Sequence, residues 1–285
     1  MIIKKAVIPA AGYGTRFLPI TKGVPKEMLP IFDKPALQLI AEDAAAAGVE
    51  EIIFVIGKNK EGVRRYFGKD EIYDGMTDRS RLKSIDELRE RVKFTFVTQE
   101  AMRGNGDAVL SAKDAVGDEP FLTLFGDDVI YNERKSSAAQ LAEAFYKKQK
   151  TIIGVQECDE NVASSCGCIL PGKREGRIVE AIDIIEKPPI DKLPSRFASM
   201  GRFVLTPDIF DALNAAPLFK GELYLTIAIA ELLRTKGGYA YEFEGIRYDI
   251  GNKLGFLKAN VEFALRNETY GAAAREYLKN LTETL

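Results

Sequence analysis

The residues best suited to chemistry cluster early in the chain. In PAAGYGTRFLPITKGVPKEMLPI, residues 9–31, Gly12 and Gly14 directly follow the first apolar run, and Arg16, Lys22 and Lys26 come next. Glycines there can take positive φ and let main-chain amides approach an oxyanion. Pro19, Pro25 and Pro30 forbid a continuous helix and hold the cations on an irregular path. Cations beside paired glycines suit charge stabilisation in phosphoryl transfer, whereas the glycines alone would fit any tight strand-to-helix turn. Phe17 breaks the G-x-G-x-x-G pattern and no G-K-[ST] follows, so neither the dinucleotide fingerprint nor the P-loop applies. Further on, LFGDDVI sets Asp127 and Asp128 after an apolar run. A hard divalent cation takes carboxylate oxygens at such a strand end, with Asp127 the first choice as ligand and Asp128 the second. Asp249, in RYDIGNKLGF, precedes a helical pattern and could equally be a cap or turn residue. Taken together, the three sites ask for one ligand, a metal-bound polyphosphate.

Composition narrows the chemistry further. Among 285 residues there is no histidine, which removes the commonest general base and every Ser-His or Cys-His pair. Charged residues are mixed throughout, 40 basic against 42 acidic, so no stripe for nucleic acid and no polybasic membrane patch is expected. Three cysteines, Cys158, Cys166 and Cys168, do not suit a secreted disulfide framework, and without histidine or a second Cys pair they do not suit zinc. The opening MIIKKAVIPAAG has too short an apolar run for a leader, and no stretch reaches the roughly 20 apolar residues of a membrane span. A soluble cytoplasmic protein is expected.

These groups need a scaffold, and the apolar periodicity describes one. Strands are expected at KKAVIPA, at 50–57, 93–98 and 121–128, with helices at 38–49, within KEGVRRYFG and at 106–117. Continuous apolar strands alternating with helices imply a parallel sheet covered on both faces. In such sheets ligands collect at the carboxyl ends of the strands, where the glycine loop would lie. Residues 69–92 interrupt the rhythm with a charged segment, read as a solvated excursion or an oligomer contact. From TIIGVQE onward shorter strands suggest mixed-sheet elements forming a sugar-sized lobe, and helices return at 222–236, 251–268 and 271–283.

PAAGYGTRFLPITKGVPKEMLPI, GNGDAVL, GDEPFLTLFGDDVI, EKPP, MGRFVLTPDIF and RYDIGNKLGF resemble the bacterial UTP-glucose-1-phosphate uridylyltransferases, within the sugar nucleotidyltransferases, over residues 3–270. The resemblance implies an α/β, Rossmann-like doubly wound mixed sheet of the nucleotide-diphospho-sugar transferase type with a small C-terminal helical extension. It divides the chain into 1–270, with a nucleotide half 1–135 and a sugar half 136–270, and a last helix at 271–285. It sets Ala10, Ala11 and Gly12 along the nucleotide, Gly14, Thr15 and Arg16 around the triphosphate, and Lys26 on the transferred phosphate, with Asp128 beside the nucleotide. Gln99 would read the uracil edge and Gly104 would lie against the base. Asp127 and Asp249 match magnesium-binding carboxylates, and Gly167, Glu186, Lys187 and Gly201 match positions around the hexose and its phosphate. The implied reaction is in-line attack of glucose 1-phosphate on UTP, giving UDP-glucose and pyrophosphate, with Mg2+ as cofactor and a homodimer or homotetramer as assembly. The attacking phosphate is already ionised, so no base is needed.

This chain departs from the family pattern on the sugar side and in the base loop. Cys166 stands where tyrosine is usual, Tyr224 replaces a glutamine and Ile227 an aspartate, while Arg103 and Asn105 flank Gly104 in place of lysine and leucine. Two alternatives follow: a relative using another hexose 1-phosphate or dTTP, and a non-catalytic homologue that only binds a UDP-sugar.

Overall fold

A strand apolar on both faces must be covered on both. EIIFVI, which has no exposed residue, needs helices on either side. The computed structural model describes residues 1–284. Its strands are β1 (Lys5–Pro9), β2 (Pro30–Ile31), β3 (Lys34–Pro35), β4 (Glu51–Ile56), β5 (Lys93–Thr98), β6 (Phe121–Leu124) and β7 (Asp128–Tyr131). The second half adds β8 (Ile152–Glu157), β9 (Gly167–Glu175), β10 (Ile178–Glu186), β11 (Phe197–Leu205), β12 (Tyr239–Glu242) and β13 (Ile246–Asp249). Nine of them form one sheet in the order β5-β4-β1-β6-β11-β8-β12-β10-β9. The first four run parallel, β11 lies antiparallel between β6 and β8, and the sheet is therefore mixed.

Alternate residues feed two separate cores, as the two-residue period of a strand requires. Ile8, Ile52, Phe54 and Leu122 face the helices Ala36–Ala45 and Ser137–Lys148. Val7, Ile53, Val55 and Phe121 face Asn105–Ser111, Asp208–Ala215 and Leu225–Lys236. Strands from residues 1–135 and 136–270 thus join in one sheet.

The structure amends three expected elements. The strand expected over 121–128 ends at Leu124: Phe125 N still bonds to Gly201 O of β11, and the chain then leaves the sheet. Asp128–Tyr131 instead pairs antiparallel with Ile246–Asp249 in a separate ribbon, with Asp128 opposite Asp249. The helix expected over 106–117 is two pieces, Asn105–Ser111 and Lys113–Val116. The charged segment 69–92 contributes the helix Lys83–Arg91, whose buried Ile85 and Leu88 join the core. The helix Lys253–Arg266 returns to brace the opening loop: Phe256 meets Phe17 edge-on at 5.5 Å, and Asn260 Oδ1 accepts from Phe32 N at 2.9 Å. Among the described residues no helix is long and apolar enough to cross a membrane.

One buried ion pair ties these layers to the turn that carries the acids. Arg202, 1% exposed on β11, donates to Asp43 Oδ2 at 3.1 Å and to the main-chain oxygen of Asp128 at 2.6 Å. Asp43 also accepts from Ser137 Oγ and Ala138 N, capping the facing helix. Arg202→Leu should lower unfolding free energy by about 3–5 kcal/mol, since it leaves a carboxylate buried without its partner. Urea denaturation measures this, and a loss below about 1 kcal/mol would show that the pair is dispensable.

Candidate active site

Two adjoining cavities open over the carboxyl ends of β1 and β6. The first, about 490 Å³, is lined by Ala11, Gly12, Lys26, Gln99, Gly104 and Asp127, among others. The second, about 310 Å³, is lined by Arg16, Gly167, Glu186, Lys187, Gly201 and Asp249 together with Asp127 and Asp128. Asp127 therefore stands at the seam between them, as do Asn105 and Phe125.

The glycine loop works by close packing as much as by amide exposure. Gly14 has φ +66°, and a Cβ there would come within 2.9 Å of Lys26 Cβ and 3.1 Å of Thr21 Cγ2. Gly14 thus lets the loop fold down onto the stem of Lys26. Lys26 Nζ lies 3.5 Å from Asp127 Oδ2. Burial works against the lysine's charge, but Asp127 and Glu27 together outweigh it, and its pKa stands above the ordinary lysine value.

Glu27, next in the chain, is 1% exposed and paired with the equally buried Lys60 at 2.6 Å. Burial raises its pKa, with Lys60 and Lys26 opposing. Glu27 lines the first cavity, and its Oε1 finds no hydrogen-bond partner among the described residues. Gln99, 3% exposed, donates through Nε2 to Asp107 Oδ2 at 2.7 Å and to Gly104 O at 3.2 Å. Its own carbonyl is left to accept, which matches the imide N–H of a uracil or thymine ring. Gly104 has φ +106°, and a Cβ would meet Leu223 O at 2.7 Å.

The acids converge through main-chain pairing. Ile250 N bonds to Asp127 O at 3.0 Å, and Asp249 Oδ1 accepts from Gly251 N at 3.0 Å. A Cβ on Gly251 would stand 3.0 Å from Asp249 Oδ1, 3.3 Å from Arg16 Nη1 and 3.5 Å from Asp127 Cβ. Both aspartates and Arg16 thus surround one small space kept open by the absence of a side chain. Among the described residues no group of three or more acidic, cysteine or histidine side chains could hold a metal. Two hard carboxylates fit a magnesium ion, which usually keeps waters and takes phosphate oxygens for its remaining positions.

Other expected residues sit differently. Asp128 lines the second cavity rather than the first: Arg247 Nε donates to its Oδ1 at 2.6 Å. Burial pushes Asp128 up to about 6 despite Arg247, with the neighbouring Asp127 adding to the rise. Ala10 is buried beneath the loop and bonds through its N to Val55 O. Thr15 is exposed in a one-turn 3-10 helix, outside the lining of both cavities. Gly201 has φ +63°, and a Cβ there would come within 2.9 Å of Asp128 Oδ2, as a Cβ on Gly167 would of Thr226 Cγ2. Glu186 Oε2 accepts from Thr226 Oγ1 at 2.7 Å, and Lys187 Nζ lies 3.4 Å from Glu186 Oε1.

Glu27, Lys60, Asp107, Thr226 and Arg247 also shape the site, though their types and spacing do not announce it. Glu27, Asp107 and Arg247 lie inside PKEMLPI, GNGDAVL and RYDIGNKLGF, and only their burial and partners set them apart. Nothing in the sequence singles out Lys60.

A doubly wound sheet with a glycine loop, a partly buried lysine and two convergent carboxylates at its strand ends defines a nucleotide-binding α/β protein equipped for phosphoryl transfer. The chain belongs to the nucleotidyl transferase family, whose model matches residues 5–265. It is similar to UTP–glucose-1-phosphate uridylyltransferase 2 of Staphylococcus saprophyticus, 45% identical over 287 residues and covering 98% of each chain. The crystal structure of a UDP-glucose pyrophosphorylase complexed with UDP-glucose has a TM-score of 0.88 and 37% identity, covering 93% of this chain and 100% of that one. A UTP-bound UGPase from Acinetobacter baumannii has a TM-score of 0.89 and 32% identity, covering 98% of this chain and 100% of its own.

Gly14→Ala should cost about 1–3 kcal/mol of stability through its left-handed backbone and should displace Lys26. The steady-state rate of pyrophosphate release checks the second effect, and an unchanged kcat would show that Lys26 keeps its place without the glycine.

Proposed function

We infer that this chain transfers the uridylyl group of UTP to glucose 1-phosphate, releasing pyrophosphate and UDP-glucose. The observation that carries this reading is Asp127, which lines both cavities, with Lys26 beside it in the first and Asp249 in the second, in a chain that matches uridylyltransferases over 98% of its length. The first cavity takes the nucleotide and the second the sugar phosphate. A phosphate oxygen of the acceptor attacks the α-phosphorus, a new P–O bond forms, and the bond from the α-phosphorus to the pyrophosphate oxygen breaks on the opposite side.

No general base is required, because the attacking oxygen is already ionised. The chain's task is to let two anions approach, which otherwise repel by several kcal/mol at a moderate effective dielectric. Lys26, kept protonated by Asp127 and Glu27, lies against the α-phosphate. Arg16 serves the polyphosphate, and Lys187 and Glu186 hold the acceptor's phosphate and hydroxyls. Asp127 and Asp249 would hold magnesium, which when bound supplies positive charge for the phosphate oxygens. Gln99 orients its carbonyl toward the imide of the base, with Asp107 and Gly104 O fixing the amide. Assembly as a homodimer or homotetramer in the cytoplasm belongs to the same reading, and the free thiols of Cys158, Cys166 and Cys168 suit a reducing compartment.

The test is product formation from UTP or dTTP with a panel of hexose 1-phosphates, read as pyrophosphate and nucleotide sugar released. UDP-glucose should be the main product, and a clear preference for another sugar would overturn glucose as acceptor. Lys26→Ala should lower kcat by about 100-fold or more while the KM for UTP changes little, because its charge matters most in the transition state. An unchanged kcat would assign that role to another cation. Asp127→Asn should raise the magnesium concentration needed for half-maximal rate; an unaltered titration would remove Asp127 as a ligand.

A further inference from the structure

The acceptor cavity's lysine has a long side chain that is half exposed, and a free ammonium there would wander. Its base is fixed. Lys187 has φ +45°, in the left-handed region, and its N bonds to Cys166 O at 3.0 Å. Its tip is held as well: Nζ lies 5.0 Å from the ring centroid of Tyr224 and 3.4 Å from Glu186 Oε1. Tyr224 is not among the residues lining the cavity, and its ring reaches the site at Lys187.

The seat of that ring is rigid for a reason in the main chain. Tyr224 is extended, at φ −93° and ψ +131°, immediately before the helix Leu225–Lys236. Neighbouring residues bond in alternation to two different parts of the site, as an extended segment allows. Leu223 donates to Arg103 O at 2.6 Å and accepts from Gly106 N at 2.8 Å, and Leu225 N bonds to Asn105 Oδ1 at 2.9 Å. These contacts fasten the segment to the base loop. Between and beyond them, Tyr224 meets Lys187 and Thr226 holds Glu186. Phe219 closes the outer side of the ring edge-on at 5.9 Å.

We propose that Tyr224 is a positioning residue for the acceptor phosphate, its ring face holding the Lys187 ammonium at the acceptor cavity before the sugar phosphate arrives. The proposal rests on the reading of this cavity as the sugar-phosphate site. Glutamine, the residue usual in the enzymes this chain resembles, has no ring face to offer a cation.

Steady-state kinetics of the full chain with UTP and glucose 1-phosphate test it. Tyr224→Leu should raise the KM for glucose 1-phosphate about fivefold, with the KM for UTP within about twofold of the parent, as loss of a half-exposed cation–ring contact implies. Tyr224→Phe keeps the ring and should restore the parent KM. In a Lys187→Met background, itself raised in KM for the sugar phosphate, Tyr224→Leu should add nothing. Where leucine perturbs folding, Tyr224→Gln gives the same comparison. An unchanged KM in Tyr224→Leu, an equal defect in Tyr224→Phe, or a full additional effect on the Lys187→Met background each overturns the proposal. A parent chain that makes no UDP-glucose, or Lys187→Met with an unchanged KM, overturns the cavity reading itself and the proposal with it.

Discussion

The site depends on main-chain pairing between two short segments distant in sequence. β7 and β13 form a ribbon outside the central sheet, and Ile250 N extends it by bonding to Asp127 O. Without that pairing Asp249 has no reason to lie near Asp127, because each side chain repels the other. Backbone hydrogen bonds and the apolar cover around Val129, Tyr248 and Ile250 hold the two carboxylates close, with Lys26 set against Asp127. Arg202 reinforces the turn from below by binding the Asp128 carbonyl, so the fold's most buried cation supports its acid-bearing turn.

Electrostatic balance follows from that crowding. Lys26 faces Asp127, Arg247 faces Asp128, Lys187 faces Glu186 and Lys60 faces Glu27. The pairs differ in burial, and so in role. Lys60 with Glu27 is closed off from solvent, whereas Lys26 and Lys187 retain access to the cavities. A pair that keeps solvent access can exchange its partner for a phosphate at modest cost, while a sealed pair is fixed in place. Preorganised cations of the accessible kind stabilise developing charge without reorganising at the moment of reaction.

The two cavities are also joined structurally. Asp127, Asn105 and Phe125 line both, and the segment 223–226 bonds to the base loop on one side and to Glu186 on the other. The two cavities thus share one continuous wall. The residues at which this chain departs from the pattern it resembles, Cys166, Arg103, Tyr224 and Asn105, lie in or beside that wall, and Ile227 follows on its helix.

Much of the architecture was legible in the residues themselves. Continuous apolar strands such as EIIFVI, the alternation of strand and helix, and the glycine and cation types after β1 all express local physics. Side-chain period, backbone freedom and charge act within a few residues, so they determined the α/β class and the phosphate-seeking chemistry. Folding alone decided that 121–128 would bend out of the sheet at Phe125, that Asp128 would turn to Arg247 while Asp127 stays at the seam, and that Glu27 would be sealed against Lys60. Adjacent aspartates look alike in sequence. Their environments diverge because one lies over an arginine from β13 and the other over a lysine from the opening loop, and such partners meet only when remote backbone segments pair.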